Sequence, residues 1–230
     1  MTDVPDEMLG PAAADWADGA EQEVLDFALA LAPHEGWTWR LARLAGRAAG
    51  FSDGETELLI PHGAADLAAL LSRRHDARAL RILKDIDPAS LKIRERIAAA
   101  VSARLDAAAP DETAVRGWMG FLALPPNVAL GGKLAWESAD AIWRWAGDTA
   151  TDENHYSKRV LLAGILTGAL AVRLTSGRAA ALFFVDRRIA NVMGFETWKA
   201  ATRFRPYDLV AAAAAALGKL RYGARAASPD

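Results

Sequence analysis

The chain has 230 residues, a formal net charge of −2 and no cysteine. That length suits one domain, or one domain with a small subdomain, and leaves ample chain for a core. Charged residues at 24% and apolar ones at 52% exclude wholesale disorder, and the missing cysteines exclude disulfides, thiolate nucleophiles and zinc–thiolate sites. The charge is unevenly placed. Residues 1–60 carry twelve acids against three arginines, a net of −9, while the remainder carries 24 basic and 17 acidic residues, a net of +7. The acidic opening "MTDVPDEMLG" has neither the basic and apolar regions of a signal peptide nor the basicity of a transit peptide. A soluble, cytoplasmic protein is expected.

β-branched residues are few, period-2 alternation is absent, and alanine and leucine dominate, so the chain reads as all-α after an acidic head without structure over residues 1–20. A first helix is expected over 21–32, stopping before Pro33. A second starts near Thr38, which can cap "WRLARLAGRAA", and ends at Gly50. A third, short helix follows Ser52, where "SDGE" fits a capping box, and Pro61 and Gly63 close it. Further helices are expected over 64–75, 76–84, 88–108, 111–123, 131–146, 151–173, 177–193, 195–203 and 207–222. The near-continuous apolar run Val160 to Val172 spans roughly 20 Å as a helix, short of the roughly 30 Å of a bilayer core. It reads as a buried helix.

The first three helices have the layout of a helix-turn-helix unit. The third carries Asp53, Glu55 and Glu57 and neither lysine nor arginine. Phosphate contacts supply most nucleic-acid affinity and need cations. A helix this acidic, in a segment of this charge, is repelled by DNA, so no nucleic-acid binding is expected.

No catalytic set stands out, and neither an enzyme activity nor a cofactor is expected. Asp152-x-x-His155 has the spacing of helical di-iron sites, but those repeat the motif and add two carboxylates, which is not matched here, so no metal is expected. "GRAAGF" and "GGK" are glycine clusters with no preceding strand and imply no phosphate loop.

Residues 147–160, "GDTATDENHYSKRV", open the apolar helix. Thr149 or Thr151 can cap it, and Asp152 and Glu153 suit its positive end. Asn154, His155, Tyr156, Lys158 and Arg159 are left over. At helical spacing Asp152, Tyr156 and Arg159 share a stripe, with His155 beside Arg159. Two readings stand: a solvated first turn with one packed tyrosine, or an exposed interface. The helix itself carries Gly164 and Gly168, each costing about 1 kcal/mol relative to alanine. Such residues are tolerated where a neighbouring helix or an apolar ligand approaches the backbone closely.

Four segments together resemble a known family: "LKIRERIAAAVSARLD" (91–106), "LALPPN" (122–127), "ADAIWRWAGDTATDENHYSKRVLLAGIL" (139–166) and "FFVDRRIANVMGFE" (183–196). With "EGWT" (35–38) they are similar to the ubiquinone-biosynthesis accessory proteins, the ninth of the Coq proteins, over roughly 21–200. The resemblance implies a homodimeric, TetR-regulator-like all-α fold in which the DNA-reading helix no longer meets DNA. It would comprise a helix-turn-helix-like unit over 21–62, a helical lipid-binding core over 63–205, and a C-terminal amphipathic helix and tail over 206–230. Implied partners are an isoprenoid quinone or other lipid, a demethoxyubiquinone hydroxylase or another quinone-ring hydroxylase, and the inner membrane, contacted peripherally. The docking patch falls on Asp152, Asn154, His155, Tyr156, Lys158 and Arg159, all expected to bind the partner, with the last three partly exposed. Glu153 and His155 depart from the family's usual aromatics and make the patch less apolar. Lipid-lining candidates are Trp143, Leu166, Leu170 and Phe183. Membrane-contact candidates are Leu209, Val210, Leu217, Lys219, Leu220 and Arg221, although an alanine-rich helix packed on its dimer mate fits the same stretch. The alternative to a non-catalytic accessory protein is a TetR-like ligand sensor that acts through protein partners.

Overall fold

The computed structural model describes residues 11–148 and 153–202, with side chains for 16–148 and 156–191. Among these the fold is all-α, without strands. Thr149, Thr151, Asp152, the side chains of Asn154 and His155, and the expected membrane helix of 207–222 lie outside the described residues.

Helix α1 (Pro11–Glu35) starts well inside the stretch expected to lack structure. Proline is at home at a first helical position, where its missing N–H has no partner to lose. Ala20, Val24, Leu25, Ala28 and Ala32 form its buried stripe. Pro33 falls in the last turn and not beyond it; Gly36, at φ 66°, ends the helix and donates to the Ala32 carbonyl at 3.0 Å.

Helix α2 (Trp39–Ala48) is capped by Thr38, whose hydroxyl accepts from the Leu41 amide at 3.2 Å. Helix α3 (Asp53–Leu59) begins with the expected capping box: the Ser52 hydroxyl accepts from the Glu55 amide, and the Glu55 carboxylate accepts from the Ser52 amide at 2.8 Å. The α2–α3 crossing needs a glycine. A Cβ on Gly46 would stand 2.0 Å from the Thr56 hydroxyl, and Thr56 is fully buried.

Helix α4 (Ala64–Ile82) is one helix where two were expected. The polar pair at the expected boundary, His75 and Asp76, does not break it, because both side chains have distant partners. His75 contacts Asp111, and Asp76 accepts from Arg104 and Ser138. Helix α4 lies at the centre, packed on α1, α2, α5 (Ile93–Ala107) and α7 (Val128–Trp145). A short 3₁₀ turn capped by Asp87 precedes α5, and α6 (Glu112–Ala123) packs on α1 and α7.

Helix α8 (Glu153–Thr202) is interrupted at Gly177, whose φ of 84° and ψ of 176° suit glycine alone. The arms on either side fold back on each other: the Phe184 ring lies 2.8 Å from where a Gly168 Cβ would stand. By length and composition Tyr156–Asn191 could cross a membrane. Leu162, Leu166, Ala169, Leu170 and Leu174 are buried, while Val160, Leu161 and Phe183 are exposed. Less than a third of its most apolar stretch is buried, so the expected buried helix is buried on one side only. Contacts divide the chain into Met1–Asp186 and Arg187–Asp230; every side-chain contact described below lies within the first unit.

Candidate functional site

A cavity of about 390 Å³ opens among α4, α5, α6, α7 and the first arm of α8, within the size range of small-molecule sites. Its walls are mainly apolar, with Trp118 and Leu122 from α6, Leu134 from α7, and Leu166 and Leu170 from α8. Trp118 is fixed by its indole N–H, which donates to the Ala68 carbonyl at 3.0 Å. Gly131 and Gly132 form part of the α7 wall. A Cβ on Gly132 would meet nothing within 4 Å.

Two of the four residues expected at a lipid wall, Leu166 and Leu170, line this cavity; Trp143 and Phe183 do not. The Trp143 indole N–H donates to the Lys158 carbonyl at 3.2 Å and its ring lies 5.3 Å from the Lys158 ammonium. Phe183 is 64% exposed. Of the two readings of the α8 glycines, Gly168 fits close approach by a neighbouring helix and not by a ligand. Gly168 receives the Phe184 ring, Gly164 has open space beside it, and neither lines the cavity.

One end of the cavity is polar. Arg104, 7% exposed, lines it together with Ser72 and Ser138. Its Nε donates to Asp76 at 2.6 Å, and the Ser138 hydroxyl donates to the same carboxylate at 2.8 Å. Behind this pair, Asp111 accepts from Arg78 at 2.6 Å and from His75 Nε2 at 2.9 Å. Burial pushes His75 down to about 4, although Asp111 pulls the other way. The imidazole is therefore neutral near pH 7 and carries its proton on Nε2. Burial also raises Asp111, but the hydrogen bond from His75 and the charge of Arg78 outweigh it and hold the carboxyl below its ordinary range. Sequence reasoning missed Arg104. The signal was a lone arginine in register with Ile97, Ala100 and Val101, all buried residues of α5.

The start of α8 carries a second polar assembly. Arg159 donates through Nε to Asp140 at 2.6 Å and through a terminal amino group to Asp148 at 3.1 Å. Lys158 donates to Asp148 at 2.8 Å. Burial raises Asp148, and the hydrogen bonds from Lys158 and Arg159 more than reverse that, so it stays ionised below the usual carboxylate range. The expected exposure of Arg159 is corrected: at 2% exposed it is among the largest fully buried side chains. Two carboxylates from α7 and the loop after it draw the guanidinium inward. Lys158 is half-buried, and Tyr156 is exposed with its ring 5.9 Å from that of Trp136. The structure thus separates the three: Tyr156 faces outward, Arg159 belongs to the core, and Lys158 lies between.

On the acidic helix α3, Asp53 is engaged by Arg47 at 2.7 and 2.5 Å. Glu55 is used in the cap, so part of this acidity is local structure.

The COQ9 family model matches residues 128–196, which comprise α7, the loop after it and most of α8. The chain is 30% identical over 159 residues to ubiquinone biosynthesis protein COQ9-A, mitochondrial, of Xenopus laevis, covering 63% of this chain and 48% of that protein. It is 28% identical over 194 residues to the mitochondrial COQ9 of Xenopus tropicalis, covering 77% of this chain and 59% of that one. The aligned part thus spans about half to three-fifths of the length of these relatives. The resemblance seen in the sequence is confirmed as similarity to the COQ9 family, centred on the two helices that carry the cavity wall and the buried Arg159 assembly.

Proposed function

We propose that this chain is a non-catalytic lipid-binding accessory protein of ubiquinone biosynthesis, which holds an isoprenoid quinone precursor and presents it to a quinone-ring hydroxylase at the membrane. The observation that carries this reading is the largely apolar cavity of about 390 Å³, to whose wall the segment matched by the COQ9 family model contributes Leu134, Leu166 and Leu170. An apolar pocket with a few convergent polar groups is the general form of a small-molecule site. Tyr156, exposed at the start of α8, is the member of the docking patch that a partner protein would meet, with Lys158 beside it. Arg159 would act by holding that turn in place. Val160 and Leu161 extend the exposed apolar surface along the same helix, in keeping with a protein partner or a second copy of the chain. A TetR-like arrangement and weak membrane contact by Leu209, Val210, Leu217, Lys219, Leu220 and Arg221 complete the proposal.

The test is organic extraction of the purified protein followed by mass spectrometry, paired with uptake of added short-chain quinone. A bound prenylated or quinonoid lipid, or saturable uptake, supports the reading. No extracted hydrophobic ligand together with no uptake would overturn it.

A further inference from the structure

We infer that the turn joining α6 to α7 is a surface that rests on a lipid bilayer, and that the cavity opens to the bilayer beside it. From Gly117 to Gly132 no side chain carries a charge, yet much of this stretch faces outward. Leu124 and Val128 are 52% and 56% exposed, and Ala123, Pro125, Pro126 and Ala129 are exposed with them. A contiguous apolar surface of this kind marks contact with a protein or a membrane. Ala123 and Val128 also belong to the cavity wall, so the mouth lies at this turn. The turn is separate in sequence from residues 207–222, the membrane contact already proposed.

Hydrogen bonding within the turn decides between protein and membrane. Pro125 and Pro126 have no N–H to offer. The Leu124 amide donates to the Phe121 carbonyl at 3.3 Å, and the Asn127 amide to the Leu124 carbonyl at 2.8 Å. The side-chain amide of Asn127 also turns back, donating to the Phe121 carbonyl at 2.9 Å. From Leu124 to Asn127, then, every N–H is either missing or used inside the turn. A protein partner expects about one hydrogen bond per 100–200 Å² of interface and would find few donors here. A turn at the acyl boundary loses water, so its N–H groups have to be satisfied internally, and these are. Arg116 and Lys133 bound the uncharged stretch, each with an acid one turn away: Glu112 at 2.8 Å and Glu137 at 3.8 Å. With those charges matched, apolar contact drives the association and headgroup attraction adds little. The membrane contact stands without the lipid-cavity reading; that the mouth takes its lipid directly from the bilayer rests on that reading.

The chain has no cysteine, so Leu124→Cys carries a single environment-sensitive fluorophore on the full chain. Leu58→Cys, at an 85% exposed position on α3, is the control. With vesicles of phosphatidylcholine and phosphatidylglycerol, the label at 124 should shift to the blue and be quenched by nitroxides on the acyl chains, and the label at 58 should do neither. Leu124→Asp, at a residue outside the cavity wall, should weaken vesicle binding about tenfold, the scale of one leucine leaving an apolar contact. It should slow transfer of decyl-1,4-benzoquinone from vesicles by a similar factor and leave equilibrium affinity for that probe, measured without vesicles, unchanged. If Leu124→Asp does not fold, the labelled pair still decides. No response at 124, or an equal one at 58, would overturn the membrane contact. A blue shift that grows with protein concentration in the absence of vesicles would give this face to a second copy of the chain and overturn it too. A label that inserts in a protein that takes up no quinone would overturn the cavity reading and the transfer, with the membrane contact upheld.

Discussion

Two buried arginines, Arg104 on α5 and Arg159 on α8, are sequestered to a similar degree, at 7% and 2% exposed, but are used differently. Arg159 is held between Asp140 and Asp148, with Lys158 completing the set. Arg104 shares one carboxylate with a serine and leaves its amino groups on a cavity wall. The first ties α7, the loop after it and α8 together at the entry of α8. The second ties α5 to α4 and α7 and also forms part of the polar end of the cavity. A buried cation therefore bears on architecture when it joins elements, and also on a cavity when it stands in the wall.

The sharpest break of that comparison is Arg159→Ala. It removes hydrogen bonds to Asp140 and Asp148, 18% and 7% exposed, but leaves Asp140 with Arg144 at 2.7 Å and Asp148 with Lys158 at 2.8 Å. The cost therefore falls to about 2–3 kcal/mol, from lost charged hydrogen bonds and the volume left behind. The expected outcome is a large fall in denaturation midpoint, measured in urea, with any loss of partner binding following the loss of fold. An unchanged midpoint would contradict the structural role.

Acid separates the two regions next. The folded-state value of about 4 for His75 lies below its ordinary 6.5, so the unfolded chain binds a proton that the folded one refuses. That contribution is fully present above pH 6.5 and is lost as pH falls towards 4. Between pH 7 and pH 5 stability should drop by about 2 kcal/mol on this account, read as a shift in urea midpoint. Asp148 shifts in the opposite sense for an acid: its contribution persists down through the ordinary carboxylate range and is lost as pH falls through its lowered folded value. It adds nothing to the pH 7-to-5 slope. His75→Gln should flatten that slope, and a slope that survives the substitution would show that another group carries it.

These contrasts also show what a sequence can reveal. Thr38 and Ser52 were legible as caps because a cap joins residues two or three apart. The break near Gly177 was legible because the run between two helical patterns contains Thr175, Ser176 and Gly177. Continuity of α4 through His75 and Asp76 was not, because their partners lie 36, 28 and 62 residues away. Burial of Arg159 was hidden for the same reason, its two carboxylates being 19 and 11 residues distant. Leu166 and Leu170 were named because they lie on the glycine- and alanine-rich helix taken as a cavity wall, whereas Trp143 and Phe183 could not be excluded without knowing that the indole is held by Lys158 and that α8 folds back.

Tyr156→Ala tests the outward side of the Arg159 assembly. The ring is 63% exposed and sits against Trp136, and an aromatic pair contributes about 0.5–1.5 kcal/mol beyond burial. Stability should fall by about 1 kcal/mol or less, while, on the proposed docking role, affinity for a quinone-ring hydroxylase should fall by the factor of ten or more typical of an aromatic anchor. Calorimetric titration against the hydroxylase reads the second quantity. Unchanged affinity would remove Tyr156 from the docking patch.

The smallest effect has the opposite sign and lies on the cavity wall. Gly132 is in the interior of α7, lines the cavity, and has nothing within 4 Å of where a Cβ would stand. Alanine there should raise stability by up to about 1 kcal/mol through helix propensity alone. Gly168→Ala, the matching change on α8, would drive a methyl group to 2.8 Å from the Phe184 ring, and overpacking of this kind typically costs about 1–3 kcal/mol. The two substitutions are chemically identical and both glycines are helical, so propensity cancels between them. The difference in urea midpoint isolates what surrounds each backbone: open cavity in one case, a packed aromatic in the other. Equal effects would mean that α7 does not face open space at Gly132. A stabilised Gly132→Ala that also weakens uptake of decyl-1,4-benzoquinone would show that the glycine is kept for the volume it leaves to a ligand, at the expense of the helix that carries it.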